Sequence, residues 1–267
     1  MLKKTAGIVL SHIKYKDSSI IVRIFTRELG LKAYLVNGVR SLGKGSKIAL
    51  YQPLTLLDLV VYDKENSGLQ RISEAKIKHP QRLIPFDMAR TSLALFSTEV
   101  ISRSILEGYQ NEELFDFLEE SIATLDSPET NLSHFPLVFL LENARHLGFA
   151  PELGEGFLIE SIHHPFHLEE VQLVLPYLKD LLDHTFHPTT TLPLPLRRKL
   201  LDHLVEFHAQ HLAHPHPARL HGFAFISVGV SHEESPANVA FLLRDSAPWK
   251  RTRDGFMDTP TNLCPTD

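Results

Sequence analysis

A chain of 267 residues, 43% hydrophobic and 22% charged, has the make-up of a folded globular protein, enough for one large domain or two ordinary ones. Its single cysteine, Cys264, excludes an intramolecular disulfide and a cysteine-based zinc site, and no apolar run approaches the roughly 18–20 residues of a membrane span. The net charge of −5 hides an asymmetry: residues 1–82 carry 15 Lys and Arg against 6 Asp and Glu, whereas the remainder carries 12 against 26. Such a split points to a basic module that seeks a polyanion and an acidic module that does not. The alternative is that the two modules attract each other within the chain. The opening MLKKTAGIVLSHIKYKD has only a four-residue apolar run, too short for a secretory signal, so a reducing cytoplasm is the expected location.

From the N-terminus the apolar residues alternate with the two-residue period of strands. GIVLSHIKY, SSIIVRIFT, LKAYLVNGV and LTLLDLVVY are separated by the turn-forming KDSS, RELG, SLGKGS and DKENSG, and LQRISEAKI follows. Five short strands within about 80 residues suit a small closed barrel, and the oligonucleotide-binding (OB) fold is the five-stranded member of that class. HPQRLIPFDM, with two prolines, reads as a linker.

Beyond Met88 the period changes to 3.6. Leu93, Phe96, Val100, Ile101 and Ile105 form an apolar stripe, which predicts a helix over residues 87–107. Asn111 is placed to cap the next helix, with acidic residues in its first turn and Leu114, Phe117, Leu118 and Ile122 on its buried face. HFPLVFLLENARHLGF is apolar on all sides at its start and is expected to be central. LEEVQLVLPYLKDLLD adds helical material that Pro176 is expected to interrupt. LRRKLLDHLVEFHAQHL, residues 196–212, is the last clear helix. The expected fold class is α+β: an OB-fold β-barrel over residues 1–80, an all-α domain over residues 81–213, and an irregular or poorly ordered tail over residues 214–267 with one strand-like piece, FAFISVGV.

The stretch LVNGVRSLGKGSKIAL concentrates positive charge in a glycine-hinged loop without an acidic residue. Arg40 can engage a phosphate through two parallel hydrogen bonds, and Lys44 and Lys47 act as mobile point charges. Lys14, Lys16, Arg23, Arg27 and Lys32 extend the basic field around the same barrel. GKGSK lacks the spacing and the following helix of a nucleotide-binding phosphate loop. Aromatic rings that stack on bases would complete a nucleic-acid face. Tyr15 lies at a turn and Tyr34 in a strand, whereas Phe25 is expected to belong to the inner face.

GIVLSHIKYKDSSIIVRIFTRELGLKAYLVNGVR resembles the opening of the bacterial RecO family of DNA repair proteins. Gly7–Leu10, Tyr15–Ser19, Phe25–Gly30 and Gly38–Arg40 carry the likeness. QPLTLLDLVVY, LENARHLGFAPEL and the LRRKLLDHLVEFHAQHL helix extend it over roughly residues 1–212. Many members of that family carry four zinc-binding cysteines after the Leu-Gly-x-x-Pro segment. LGFAPELGEGFLIES has none, so the resemblance implies a zinc-free variant with no cofactor. It also implies a non-enzymatic mediator that binds single- and double-stranded DNA and anneals complementary strands. In that role it would work with RecR to help RecA replace single-strand DNA-binding protein (SSB), associated with the nucleoid and not with a membrane. Arg197, Arg198 and Lys199, the dense cations of the second module, are the candidate docking point for a partner. A protein-interaction or RNA-binding adaptor built on the same barrel is the alternative.

Sixteen histidines invite a metal reading, with His163, His164 and His167 in one group and His208, His211, His214 and His216 in another. A structural zinc site wants four organised ligands, commonly thiolates among them, so these histidines read as surface composition. No serine elbow, His-Glu-x-x-His or clustered acidic triad is present, and paired glutamates such as Glu119 and Glu120 read as solvated helix faces.

Overall fold

Alternating apolar residues form the expected strands, and the first of them does double duty. In the computed structural model, which describes residues 1–39, 47–64, 68–161 and 163–211, strand β1 runs from Leu2 to Tyr15, starting five residues before the expected GIVL. β2 (Ser19–Thr26), β3 (Gly30–Val36), β4 (Leu56–Tyr62) and β5 (Leu69–Ile77) follow, with a 3-10 turn over Ile48–Tyr51. The N-terminal half of β1 pairs with β4 and its C-terminal half with β2, with a bulge between Val9 and Ser11. Gly7 lies where the two ladders overlap; a Cβ there would come within 2.7 Å of the Ile24 and Leu59 side chains. The strands close in the order β1-β2-β3-β5-β4, and only β3 and β5 run parallel. This is the expected OB-type barrel. Val9, Ile20, Val22, Ile24, Tyr34, Leu57, Leu59 and Val61 fill its interior.

Among the described residues six helices follow: α1 (Met88–Ser104), α2 (Glu112–Leu125), α3 (Phe135–His146), the short α4 (Glu155–Ile159), α5 (Leu168–His184) and α6 (Leu194–His211). Asp87 caps α1 and Asn111 caps α2, each accepting from a backbone N–H three residues on. Every residue from Phe135 to Ala144 is buried, so α3 is the central helix that its all-round apolar start predicts. α5 runs through Pro176 without a break, contrary to expectation. The proline and Gln172, whose carbonyl it leaves without its helical donor, both lie on an exposed face where water can serve that carbonyl. The short α4 gave no sequence signal, being too brief to show a period. Asp126, at the end of α2, accepts from the backbone N–H groups of Arg82, Leu83 and Ile84 and so pins the linker that leaves the barrel.

Barrel and helices fall within one compact unit and share a core. Ile8, Leu10, Phe25, Leu31, Leu54 and Leu56 from the barrel belong to the same buried cluster as α1, α2, α3, α5 and α6. Phe25, expected on the inner face, instead shares the outer face of β2 with Arg23 and Arg27 and meets the Phe115 ring at 6.0 Å, because in a strand residues two apart lie on one face. The Leu31 N–H donates to the Tyr109 carbonyl (2.9 Å) and the Gly108 N–H to the Leu31 carbonyl (2.7 Å), which stitches the edge of β3 to the α1–α2 connection. Gly30 has φ +71°, and a Cβ there would stand 2.3 Å from the Tyr109 carbonyl oxygen, so only glycine fits the stitch. The expected separation at residue 80 is therefore one of secondary-structure type, bridged by a common interior. The tail expected over residues 214–267, FAFISVGV included, lies outside the described residues.

Two measurements follow from this packing. A fragment ending at residue 80 lacks the helical partners of Phe25, Leu31 and Leu56, and is expected to lack cooperative unfolding, whereas the full chain melts barrel and helices together by circular dichroism. The second concerns acid. Burial lowers the pKa of His134 and of His208 to about 4, with the Arg197 charge adding to the effect at His134. Both imidazoles are therefore neutral in the fold and titrate near 6.5 once unfolded. Their contribution is complete above about pH 6.5 and disappears as pH falls towards 4, because the unfolded chain binds the extra protons. The melting temperature is expected to drop across that window, and His208→Leu should flatten the drop while lowering stability at neutral pH, since the hydrogen bond from His208 to the Leu140 carbonyl would be lost.

Candidate nucleic-acid interface

Antiparallel register decides which side chains share the outer face of the barrel. Ser11, Arg23 and Ala33 lie opposite one another across β1, β2 and β3, and the neighbouring row runs Ile13, Ile21, Leu35 and on to Arg71 of β5. The β1–β2 turn at one end carries Lys14, Tyr15 and Lys16, all exposed, with the Lys16 ammonium 5.4 Å from the centre of the Tyr15 ring. Lys16 has φ +52°, a left-handed conformation that tightens this turn. Lys47, just before the 3-10 turn, is also exposed. Among the described residues Lys14, Lys16, Arg23, Lys47 and Arg71 have no carboxylate partner within salt-bridge distance. Arg40 and Lys44, from the loop that dominates the sequence argument, lie outside the described residues.

Other nominated cations are already engaged. Arg27 reaches Asp116 (2.8 Å) and Glu112 (2.7 Å) of α2, and the hydrogen bond from its guanidinium holds the Asp116 carboxyl below its usual range. Lys32 meets Asp63 at 2.6 Å, and Lys3 meets the same carboxylate at 2.7 Å. The two lysines together lower the Asp63 pKa. Lys78 pairs with Glu119 of α2 at 2.6 Å. The acidic first turns of α2 thus neutralise part of the barrel's positive charge, as the intramolecular alternative anticipated. Tyr34 is a correction: it points into the barrel, 0% exposed, and burial raises its hydroxyl pKa, so its ring is closed to a base. A tyrosine in a strand carries no mark of which way it faces when Lys32 and Ala33 beside it are ambiguous.

The three cations at the start of α6 do not form one patch. Lys199 pairs with Glu170 at 2.6 Å and lies 4.6 Å from the Phe166 ring. Arg197 donates to the Leu192 carbonyl at 3.5 Å and contributes to the low pKa of the buried His134. Arg198 is half-buried. His208 donates from Nε2 to the Leu140 carbonyl inside the core, and among the described residues no three His, Cys, Asp or Glu side chains converge on a point where a metal could sit.

Residues 1–81 match the family description Recombination protein O N terminal, and residues 85–161 match Recombination protein O C terminal. The DNA repair protein RecO of Flavobacterium psychrophilum is 36% identical over 78% of this chain and 92% of its own length. The chain belongs to the RecO family. The RecO of Phocaeicola vulgatus is 42% identical over 61% of this chain and 69% of its own. That of Flavobacterium johnsoniae is 36% identical over 78% of this chain and 92% of its own. The RecO descriptions meet between residues 81 and 85, at the linker pinned by Asp126, and membership carries a role in DNA repair and recombination.

Arg71 was not nominated from the sequence, because only the β3–β5 pairing brings it beside Leu35. The division between free and engaged lysines can be read by reductive methylation followed by mass spectrometry. Lys14, Lys16 and Lys47 are expected to label fastest, and Lys32 and Lys199, each held by a carboxylate, slowest.

Proposed function

We propose that this protein is a non-enzymatic recombination mediator that binds single- and double-stranded DNA and anneals complementary strands. With RecR it helps load RecA onto DNA coated with SSB. The observation that carries the reading is a set of cations with no carboxylate partner among the described residues: Lys14 and Lys16 at the β1–β2 end of a closed OB-type barrel, and Arg23 and Arg71 on its outer face. An unpaired surface cation gains by displacing the counterions condensed on a phosphate chain, and the gain does not depend on base sequence. That suits annealing, in which base pairing between the strands supplies all the specificity. The exposed acidic residues of α2 and α5 disfavour phosphate, which restricts the DNA to the barrel and leaves the helical face to RecR and SSB. Family membership supports the repair role, and action on chromosomal DNA would put the protein at the nucleoid in the cytoplasm.

The decisive assay is annealing of complementary oligonucleotides, with and without SSB, by the purified full chain; absence of annealing by folded protein overturns the reading. Binding to a single strand should weaken linearly with log salt. Replacing Lys14, Lys16, Arg23 and Lys47 together should reduce the slope by about 3, at ~0.7 for each phosphate no longer neutralised. Asp63→Asn releases Lys3 and Lys32 and is expected to tighten binding and steepen the slope, whereas Arg27→Gln should lower thermal stability with little change in affinity.

A further inference from the structure

Only Gln70 of β5 is buried, and the strand is the least shared of the barrel. Its first residues, Leu69–Arg71, pair with β3, but from Ile72 to Ile77 it pairs with β4 alone. β3 ends at Val36, one residue past its last partner, and offers the rest of β5 no neighbour. Among the described residues, therefore, one edge of Ile72–Ile77 has no strand beside it. An open edge is a template for pairing with another chain.

Register shows which groups face that edge. The Lys78 N–H donates to the Leu56 carbonyl at 2.9 Å, and along an antiparallel ladder alternate residues turn their N–H and C=O to the same neighbour. Lys76 and Glu74 therefore bond to β4, opposite Asp58 and Val60, and Ala75 and Ile77 direct their backbone groups away from it. Side chains alternate as well. Glu74 and Lys76 share the outer face, both are exposed, and neither has an ion-pair partner among the described residues. Ile77 beside them is 42% exposed.

We propose that this edge joins a second copy of the same chain, β5 against β5, about a two-fold axis at Ala75. Antiparallel pairing in that register exchanges hydrogen bonds between the two Ala75 residues and sets Ile77 opposite Ser73. It places Glu74 opposite Lys76 of the second copy, and the reverse, in the positions where facing side chains come closest. Moving the axis to Glu74 or to Lys76 would set like charges against each other. The strand is thus complementary to itself in one register, as an isologous contact requires. A lone edge lysine would guard against pairing, but here Glu74 answers it. A phosphate chain is a poor alternative occupant, because Glu74 and Asp58 would repel it. The association needs no DNA, so it stands or falls apart from the mediator reading; where both hold, it puts two cationic barrels in one particle.

Sedimentation velocity of the full chain, taken up to about 200 µM because a single strand pair is a small interface, is expected to show a reversible dimer. Lys76→Glu and Glu74→Lys reverse exposed charges and leave the bonds to β4 in place. Each is expected to weaken the dimer about tenfold, and an equimolar mixture of the two variants to recover it. In that mixture one chain carries acid at both positions and the other base at both. Hydrogen exchange reads the same contact: the Ala75 and Ile77 amides should slow as concentration rises, while that of Lys76, bonded to β4, stays unchanged. A wild type that is monomeric throughout, reversals that leave the dimer unaltered, or a mixture no better than its components would each overturn the β5 contact. Protection of Ala75 and Ile77 that is equal at every concentration would overturn it too, since another part of the same chain would then cover the edge.

Discussion

The junction between β3 and the α1–α2 connection is the constraint on which the rest of the structure depends. Two backbone hydrogen bonds join Leu31 to Gly108 and Tyr109, and Gly30 provides the close approach they require. Around them Phe25 and Leu31 project from the outer side of the barrel into the core of the helices. A five-stranded barrel of this length buries little apolar surface by itself. By lending the outer sides of β1 and β3 to the helical core, it gains the missing burial and acquires a fixed orientation to α2.

That orientation divides the barrel's positive charge into two parts. One part faces α2 and Asp63 and is neutralised inside the molecule: Arg27 by Glu112 and Asp116, Lys78 by Glu119, and Lys3 and Lys32 by Asp63. These ion pairs range from half-exposed at Arg27 to more covered at Asp63, and together they remove cations from any outer ligand. The other part, Lys14, Lys16, Arg23 and Arg71, lies on the sides of the barrel that the helices do not cover. A polyanion approaching the protein therefore meets a directed field: attractive over β1, β2 and the β1–β2 turn, and repulsive over the acidic helices. Attraction within the chain thus accounts for one set of cations and leaves the other set open to a ligand.

The same division accounts for the aliphatic row of Ile13, Ile21 and Leu35. Residues on the helix-facing side of β1, such as Ile8 and Leu10, are apolar because α1 and α2 cover them. Ile13 and Ile21, past the bulge, are apolar without such cover. The bulge at Val9–Ser11 re-aims the strand at the point where one apolar surface ends and the other begins.

Much of the architecture was legible in local patterns. Alternation with turn residues marked all five strands, the change to a 3.6 period at Met88 marked the helices, and Asn111 and the uninterrupted apolar run of α3 declared their roles. These signals survive because period and capping are properties of a few neighbouring residues. The RecO likeness was legible too, since motif order does not require coordinates. What escaped was every feature set by residues far apart in the chain. Arg27 and Lys32 looked as free as Lys14 because their counterions lie 31 to 89 positions away. Tyr34 looked like a stacking ring until the barrel closed around it, and Arg71 joined the outer face only through a parallel pairing between non-consecutive strands. Composition determined that this protein has a basic barrel and an acidic helical body; tertiary contact decided which of its cations stay unpaired, because a charge is available to a ligand only where the fold brings no opposite charge to meet it.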